Sequence, residues 1–344
     1  MASRTDRLLR PDRPSGGWRV LNWVLILLVV VFFGWTALWY AAAAYVKGEF
    51  DERTTALARE GRADIACGRR DVEGFPFEFR FVCDEDVMVE TDRADVALSA
   101  LESGARVWEP STIRSTLDGP ASVALGPGTR IVADWKNAAL TVRDAFDRRS
   151  ATVVLADLSL DAPQANLLVS QGEAALLPEG PDLRATLDAA DVTLTLEGRE
   201  PVTFARLYGD MTLQGLHRRL VMLGRSFEPA NGLEGRIEGI GLQVGEGGRL
   251  HLSGPFSVSP EGLLSGRFTI AVRDPAELQG LVVRLTDLGD QFSGALTALS
   301  TLGEERTIDG VQMRAIELSA VDGKLPFGFV TVDLPRIWER PPSQ

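Results

Sequence analysis

From Val20 to Val46 the chain carries no charged residue, and this run constrains everything that follows it. In a helix rising about 1.5 Å per residue, about twenty such residues cross the roughly 30 Å hydrocarbon core of a bilayer, so the run can span with some tilt. Trp18 and Trp23 lie at one end, and Trp35, Trp39, Tyr40 and Tyr45 at the other. Rings with one polar edge collect where the ends of a spanning helix meet the headgroups. Arg4, Arg7, Arg10, Arg13 and Arg19 precede the run, whereas Lys47, Glu49, Asp51, Glu52 and Arg53 follow it as a mixed set. The preference of basic residues for the cytoplasmic side therefore predicts an inner (cytoplasmic) membrane anchor with the N-terminus in the cytoplasm and the rest exported. In this reading residues 1–19 are a cytoplasmic tail, 20–46 the transmembrane helix, 47–60 a helical stalk and 61–344 a periplasmic domain. The rival is a signal peptide cleaved after Ala41–Ala44. Signal-peptide apolar cores run only about 7–15 residues, so the length favours a retained anchor.

Charge narrows the partners. The formal net charge is −12, and the first nineteen residues hold five arginines against Asp6 and Asp12, which leaves −15 for the remainder. Nucleic-acid binding needs clustered cations to neutralise phosphates, so no nucleic-acid partner is expected. A broadly basic surface lying on anionic lipid is disfavoured for the same reason.

Two cysteines, Cys67 and Cys83, both fall on the exported side. In an oxidising compartment one disulfide is the economical reading, and two buried thiols are the alternative. The short loop it closes gives a contribution of about 3 kcal/mol. No CxxC is present, so neither a redox motif nor a zinc knuckle is expected.

Beyond residue 60 the apolar period changes from 3.6 to 2. Phe75, Phe77, Phe79, Phe81 and Cys83 alternate with Glu78 and Arg80, and Asp71-Val72-Glu73-Gly74 offers a turn for a hairpin stapled by the cysteines. Similar alternation recurs at Val192–Leu196, Leu207–Leu213, Ile240–Val244, Leu250–Val258, Leu264–Val272 and Phe327–Leu334, with breakers such as Gly247-Gly248 and Pro260-Glu261-Gly262 between. Asp274-Pro275-Ala276-Glu277 reads as a capped helix start. Leu278, Leu281, Val282, Leu285 and Leu288 form its apolar stripe, and a second helix is expected over Gln291–Leu302. The fold class predicted is mainly β: an elongated antiparallel sheet domain with one or two packed helices near residues 274–302, and a candidate sub-domain boundary near 220–231.

No catalytic constellation emerges. His217 and His251 lack metal-pair spacing and read as surface histidines. A GxSxG elbow is absent, and Gly239-Ile240-Gly241 with Gly245 has the wrong spacing for a dinucleotide loop, which makes those glycines turns and bends. Asp84-Glu85-Asp86 lacks the spaced oxygens of a calcium loop. The expectation is a non-enzymatic protein without catalytic residues, metal or cofactor.

Several stretches together carry a family likeness: Trp39-Tyr40 followed by Gly74-Phe75-Pro76-Phe77; Val107-Trp108-Glu109-Pro110 with Gly119-Pro120; Ile240-Gly241-Leu242 through Gly262-Leu263-Leu264-Ser265-Gly266, then Val272-Arg273-Asp274-Pro275; and Asp322-Gly323-Lys324-Leu325-Pro326-Phe327-Gly328 with Leu334-Pro335. The chain resembles the domain-of-unknown-function family 2125, membrane-anchored envelope proteins of alphaproteobacteria, over nearly the whole exported domain. That resemblance implies no catalytic residues. More distantly, the anchor-plus-sheet layout is similar to AsmA-type envelope proteins, whose long curved sheets are thought to shield lipid. The functional expectation is a cell-envelope protein that binds or shields a lipid-like ligand in an apolar sheet groove, for which Phe256, Phe268 and Ile270 are the candidate lining. The alternative is a periplasmic scaffold that recruits other envelope proteins.

Overall fold

The computed structural model describes residues 16–59, 64–91, 94–124, 129–144, 149–218, 232–285, 289–327 and 330–338. The boundary expected near 220–231 and most of the tail before the anchor lie outside them. Helix α1 (Gly16–Arg59) is continuous through the uncharged run and the residues after it. It is the one described helix long and apolar enough to cross a membrane. Residues 20–34 are exposed along their whole length, and contact with the rest of the chain begins at Trp35.

Seventeen strands make one antiparallel sheet. They are β1 (Asp64–Ala66), β2 (Arg69–Glu73), β3 (Glu78–Asp84), β4 (Val87–Glu90), β5 (Asp95–Arg106), β6 (Glu109–Ala124), β7 (Arg130–Asp134), β8 (Asn137–Arg143), β9 (Ser150–Ala162), β10 (Ala165–Glu179), β11 (Asp182–Leu196), β12 (Val202–Leu213), β13 (Leu233–Val244), β14 (Gly248–Val258), β15 (Leu264–Arg273), β16 (Glu304–Ile308) and β17 (Val311–Ala320). From β5 to β15 the order is a meander in which sequential strands pair because short turns keep them adjacent, except that β7 and β8 do not pair with each other and both lie between β6 and β9. β2–β3 and β1–β4 form one end beside β5, and β5 to β15 follow in turn. The rule breaks at the far end. Helices α2 (Pro275–Leu285) and α3 (Gly289–Leu302) intervene, β17 pairs with β15, and β16 takes the edge. A separate hairpin, β18 (Lys324–Phe327) and β19 (Val330–Asp333), divides the single strand expected over 327–334.

A line of irregularities crosses the first half of this sheet. It passes through the break between β1 and β2 at Cys67-Gly68, Glu85 and Asp86 in the left-handed region, a register shift at Ser99, Gly119-Pro120, the break at Trp135-Lys136, Asp157 and Asp191. Neighbouring strands carry these features at matching positions, so they act together as a crease. Bulges bend a strand and sharpen its twist, and aspartate tolerates the left-handed backbone that most residues avoid. Across the crease, Val169, Val192, Val202 and Phe204 on one side pack in a single cluster with Ala189, Leu207 and Leu242 on the other, together with the buried Leu281 of α2. The sheet therefore folds toward the face that carries Leu207 and Leu242, the inner face.

Three local expectations change. The turn after β2 lies at residues 74–77, not 71–74. Gly74 takes φ 100°, and its carbonyl accepts from the amides of Phe77 and Glu78 at 3.2 and 2.9 Å, leaving Asp71–Glu73 in the strand and Phe75 and Phe77 outside it. Glu277 does not close a capping box on its own helix. Its carboxylate accepts from the amides of Gly247 and Gly248 at 3.3 and 2.7 Å, tying α2 to the β13–β14 turn. Asp274 has φ 46°, unlike the extended backbone of an ordinary cap. Of the helical stripe, Leu278 and Leu281 are buried; Leu288 and the side chains of Val282 and Leu285 lie outside the described residues.

Cys67 and Cys83 are at disulfide distance, with Cα atoms 5.6 Å apart, and link the start of β2 to β3.

Candidate functional site

The strand registers align apolar residues into rows that run across the strands, at right angles to the chain. One row on the inner face passes through Phe81, Ser103, Ser115, Leu140, Val153, Ala174, Leu187, Gly209, Ile240, Leu252, Ile270 and Ile316. Its neighbour passes through Cys83, Leu101, Leu117, Ala138, Leu155, Gly172, Ala189, Leu207, Leu242, Leu250 and Val272. The only hydroxyls in them, Ser103 and Ser115, hydrogen-bond each other at 2.8 Å, so each oxygen has a partner within the wall. Beyond the crease a third row runs Val87, Leu98, Ala121, Ala133, Leu160, Leu167, Leu194 and Val202. Two apolar walls thus flank the crease and form a trough.

The trough is only partly filled. A sealed core would bury its large residues, yet Leu101, Leu117, Leu140, Leu155 and Leu167 are half-buried and Leu187 is 50 % exposed. At its start α1 docks on the same face, with Trp39 stacked on Phe79 at 5.4 Å between ring centroids and Phe50 against Phe81 at 4.3 Å. At the far end α2 and α3 cover part of it, packing Leu278, Leu296 and Leu299 on Val272, Leu250 and Ile270.

Beside those helices the trough widens into a depression of about 440 Å³ whose lining is apolar throughout. Phe256, Phe268 and Ile270 all lie in its wall, with Met211, Leu252 and Leu318, while Leu325, Leu334 and Ile337 from the C-terminal segment form a second rim. Glycine makes the room. Gly235 pairs with Phe256, whose ring lies where a Gly235 Cβ would be, and the Phe268 ring overlies Gly266. Phe268 is itself 6 % exposed, so it supports the floor more than it lines the opening. The C-terminal rim could not be read from sequence, because Leu325, Leu334 and Ile337 belong to a hairpin and tail outside the sheet, placed by backbone bonds such as Ile337 N–H to the Gly262 carbonyl at 2.9 Å.

The outer face carries the ion pairs. Arg184 pairs with Asp210 and Glu179, Arg206 with Asp188, Arg114 with Glu109, and Arg306 with Glu304 and Glu317. Hydrogen bonding to the Arg184 guanidinium holds the Asp210 carboxyl below its usual range. The same face carries His251, which is not a surface residue: it is 5 % exposed and its Nδ1 lies 3.0 Å from the Tyr208 hydroxyl. Both rings lean across β13, over Gly239 and Gly241, so these glycines sit mid-strand to admit side chains and are not turns. Burial pushes the His251 imidazole down, opposed by the nearby Asp309 carboxylate; burial and Asp309 together push the Tyr208 phenol up. His217 is buried too, at 2 % exposure, with Nδ1 at 2.9 Å from the Gly180 carbonyl. His251 departs from expectation because an alternating pattern cannot report what covers a face, and His217 because the turn after β12 brings it against Gly180, far away in the chain. Among the described residues no three His, Cys, Asp or Glu side chains gather as a metal site.

The family model described as "Uncharacterized protein conserved in bacteria (DUF2125)" matches residues 39–333. The chain belongs to the DUF2125 family. Within this DUF2125 protein the matched span opens at Trp39, where α1 docks on the sheet, and closes at Asp333, the end of β19. The matched span therefore contains both walls of the trough and the lining of the apolar depression except Leu334 and Ile337. No curated protein and no solved structure matches the chain.

Proposed function

We propose that this DUF2125 protein is a non-enzymatic envelope protein that holds lipid acyl chains in the trough of its sheet. It is anchored in the inner membrane by α1, with the N-terminus cytoplasmic and the sheet periplasmic. The observation that carries this reading is continuity: the rows run from the aromatic dock of the membrane helix to Ile270 in the wall of the open depression, interrupted by polar side chains only at the hydrogen-bonded pair Ser103–Ser115. From β3 to β15 the rows cross some ten strand spacings of about 4.8 Å, about 48 Å in all. That exceeds the roughly 15 Å depth of one leaflet's chains, half of a 30 Å core, so the trough suits a chain entering from the membrane and moving along it. Burying methylenes on such a surface stabilises by about 0.8 kcal/mol each and needs no polar recognition.

The test is mass spectrometry of lipid retained by the purified full chain, together with photo-crosslinking by a diazirine-bearing phospholipid. Retained phospholipid or fatty acid, with adducts on Leu187, Phe256 and Ile270 and none on the outer-face residues Glu173 and Asp188, is expected. Lipid-free protein with adducts confined to α1 would refute it. The second reading, a scaffold that recruits envelope proteins, draws on the ion-paired outer face; it predicts that lipid-free result and a protein partner lost on reversing Asp188 or Asp210.

A further inference from the structure

We propose that the β2–β3 turn and the β5–β6 turn form an aromatic foot immersed in the outer boundary of the bilayer that α1 crosses, an inference that rests on the membrane-anchored reading above. Phe75 and Phe77 flank the first turn, and Trp108 sits at the tip of the second. The turns are joined: the Val107 amide donates to the Phe77 carbonyl at 2.9 Å, and the Phe77 and Trp108 rings lie 6.0 Å apart. Phe77 is 57 % exposed and Trp108 66 %, an unusual display of large rings on one surface with none of the described residues over them.

Helix length says what covers them. Counted from Val20, the first residue after Arg19, α1 runs free of the domain only to Gly34. At about 1.5 Å per residue those fifteen residues cover about 22 Å, some 8 Å short of the roughly 30 Å hydrocarbon core. The deficit must be made up by the helix from Trp35 to about Trp39. That segment is bound to the foot, because the Trp35 indole N–H donates to the Pro76 carbonyl at 3.0 Å and that of Trp39 to the Glu78 carbonyl at 3.2 Å. Phe75 is held between Trp39 and Tyr40, at 5.6 and 6.0 Å. Whatever depth Trp35 takes, Pro76 and Phe77 take with it. The charged groups behind the tips, Glu78, Arg106 and the Arg114–Glu109 pair, then come to headgroup level, where a charge stays hydrated. The foot would fix the tilt of the domain and set the start of the trough, at Phe79 and Phe81, against the lipid.

The experiment uses the full chain in nanodiscs of phosphatidylethanolamine and phosphatidylglycerol. The native cysteines pair with each other, so a single introduced cysteine takes a nitroxide uniquely. Collision with oxygen, which partitions into lipid, is compared with collision with a nickel chelate, which stays in water, at Phe77→Cys, Trp108→Cys, Leu28→Cys in α1 and Glu173→Cys on the outer face. Positions 77 and 108 should favour oxygen as position 28 does, while 173 favours nickel. Nickel-favoured labels at 77 and 108 beside an oxygen-favoured 28 would overturn the foot and leave the anchor standing. A nickel-favoured 28 would overturn the anchor and the foot together. Labels at 77 and 108 shielded from both reagents would mean that a protein covers the turns, and would also overturn the foot.

Discussion

Replacing Leu187 with glutamate separates a trough from a core. Its row neighbours are Ala174 on β10 and Gly209 on β12, so Leu187 is the one large side chain on that stretch and a chain moving along the row must pass over it. Because it is half-exposed, a carboxylate there keeps its water, and unfolding stability should change by less than about 1 kcal/mol. A bound acyl chain, by contrast, would lose apolar contact for about three methylenes. At about 0.8 kcal/mol each this is about 2.4 kcal/mol, or about 50-fold weaker occupancy. The assay pairs denaturant unfolding of the full chain in micelles with the yield of the diazirine lipid adduct in nanodiscs at sub-saturating lipid. The expected result is an unchanged unfolding midpoint with adducts beyond Leu187, toward Phe256, down by one to two orders of magnitude. Phe268→Ala is the contrast, since truncating a 6 % exposed phenylalanine should cost about 3–5 kcal/mol of stability. A Leu187→Glu protein that unfolds as easily as Phe268→Ala, or one that labels like wild type, would refute the trough.

The remaining predictions concern the frame. Cys67→Ser should lower stability by about 3 kcal/mol, the value for a bridge closing a loop of sequence separation 16; thiol alkylation without reduction should label neither cysteine of the wild type, and two free thiols would contradict the pair. Gly241→Ala should destabilise by about 1–3 kcal/mol, because the new methyl meets the Leu250 carbonyl and comes within 2.5 Å of the Tyr208 phenol oxygen; a fully stable variant, by thermal denaturation, would mean that Tyr208 does not lie over this glycine. His251 has a folded pKa below its ordinary value, so the unfolded chain takes up the proton first. Its contribution is fully present above about pH 6.5 and is lost as pH falls from there toward the lower folded value. His251→Gln should therefore lose less stability than wild type between pH 7 and 5, and parallel pH profiles would show that the imidazole is not buried.

Much of the frame is legible in the order of residues alone. An uncharged run of this length flanked by aromatics makes a helix of spanning length, because every backbone group in hydrocarbon must bond within its own segment. Alternation in Leu207–Leu213 or Leu264–Val272 makes strands, because successive side chains point to opposite faces. Strands β8 and β10 are harder to see: their inner positions include Ala138, Gly172 and Ala174, too small to stand out as apolar until the register sets them beside Leu155 and Leu187. Phe256, Phe268 and Ile270 can be picked out as a face, but a period of two says only that they share a side. Whether that side is sealed or open depends on residues far away in the chain: the C-terminal Leu334 and Ile337, the two helices and the line of bends from Gly68 to Asp191. The burial of His251 likewise depends on a Tyr208 that comes within 3.0 Å only through the register of three strands. Local pattern is a property of neighbours along the chain and determined the elements; coverage is a property of neighbours in space, and only the tertiary fold decided it.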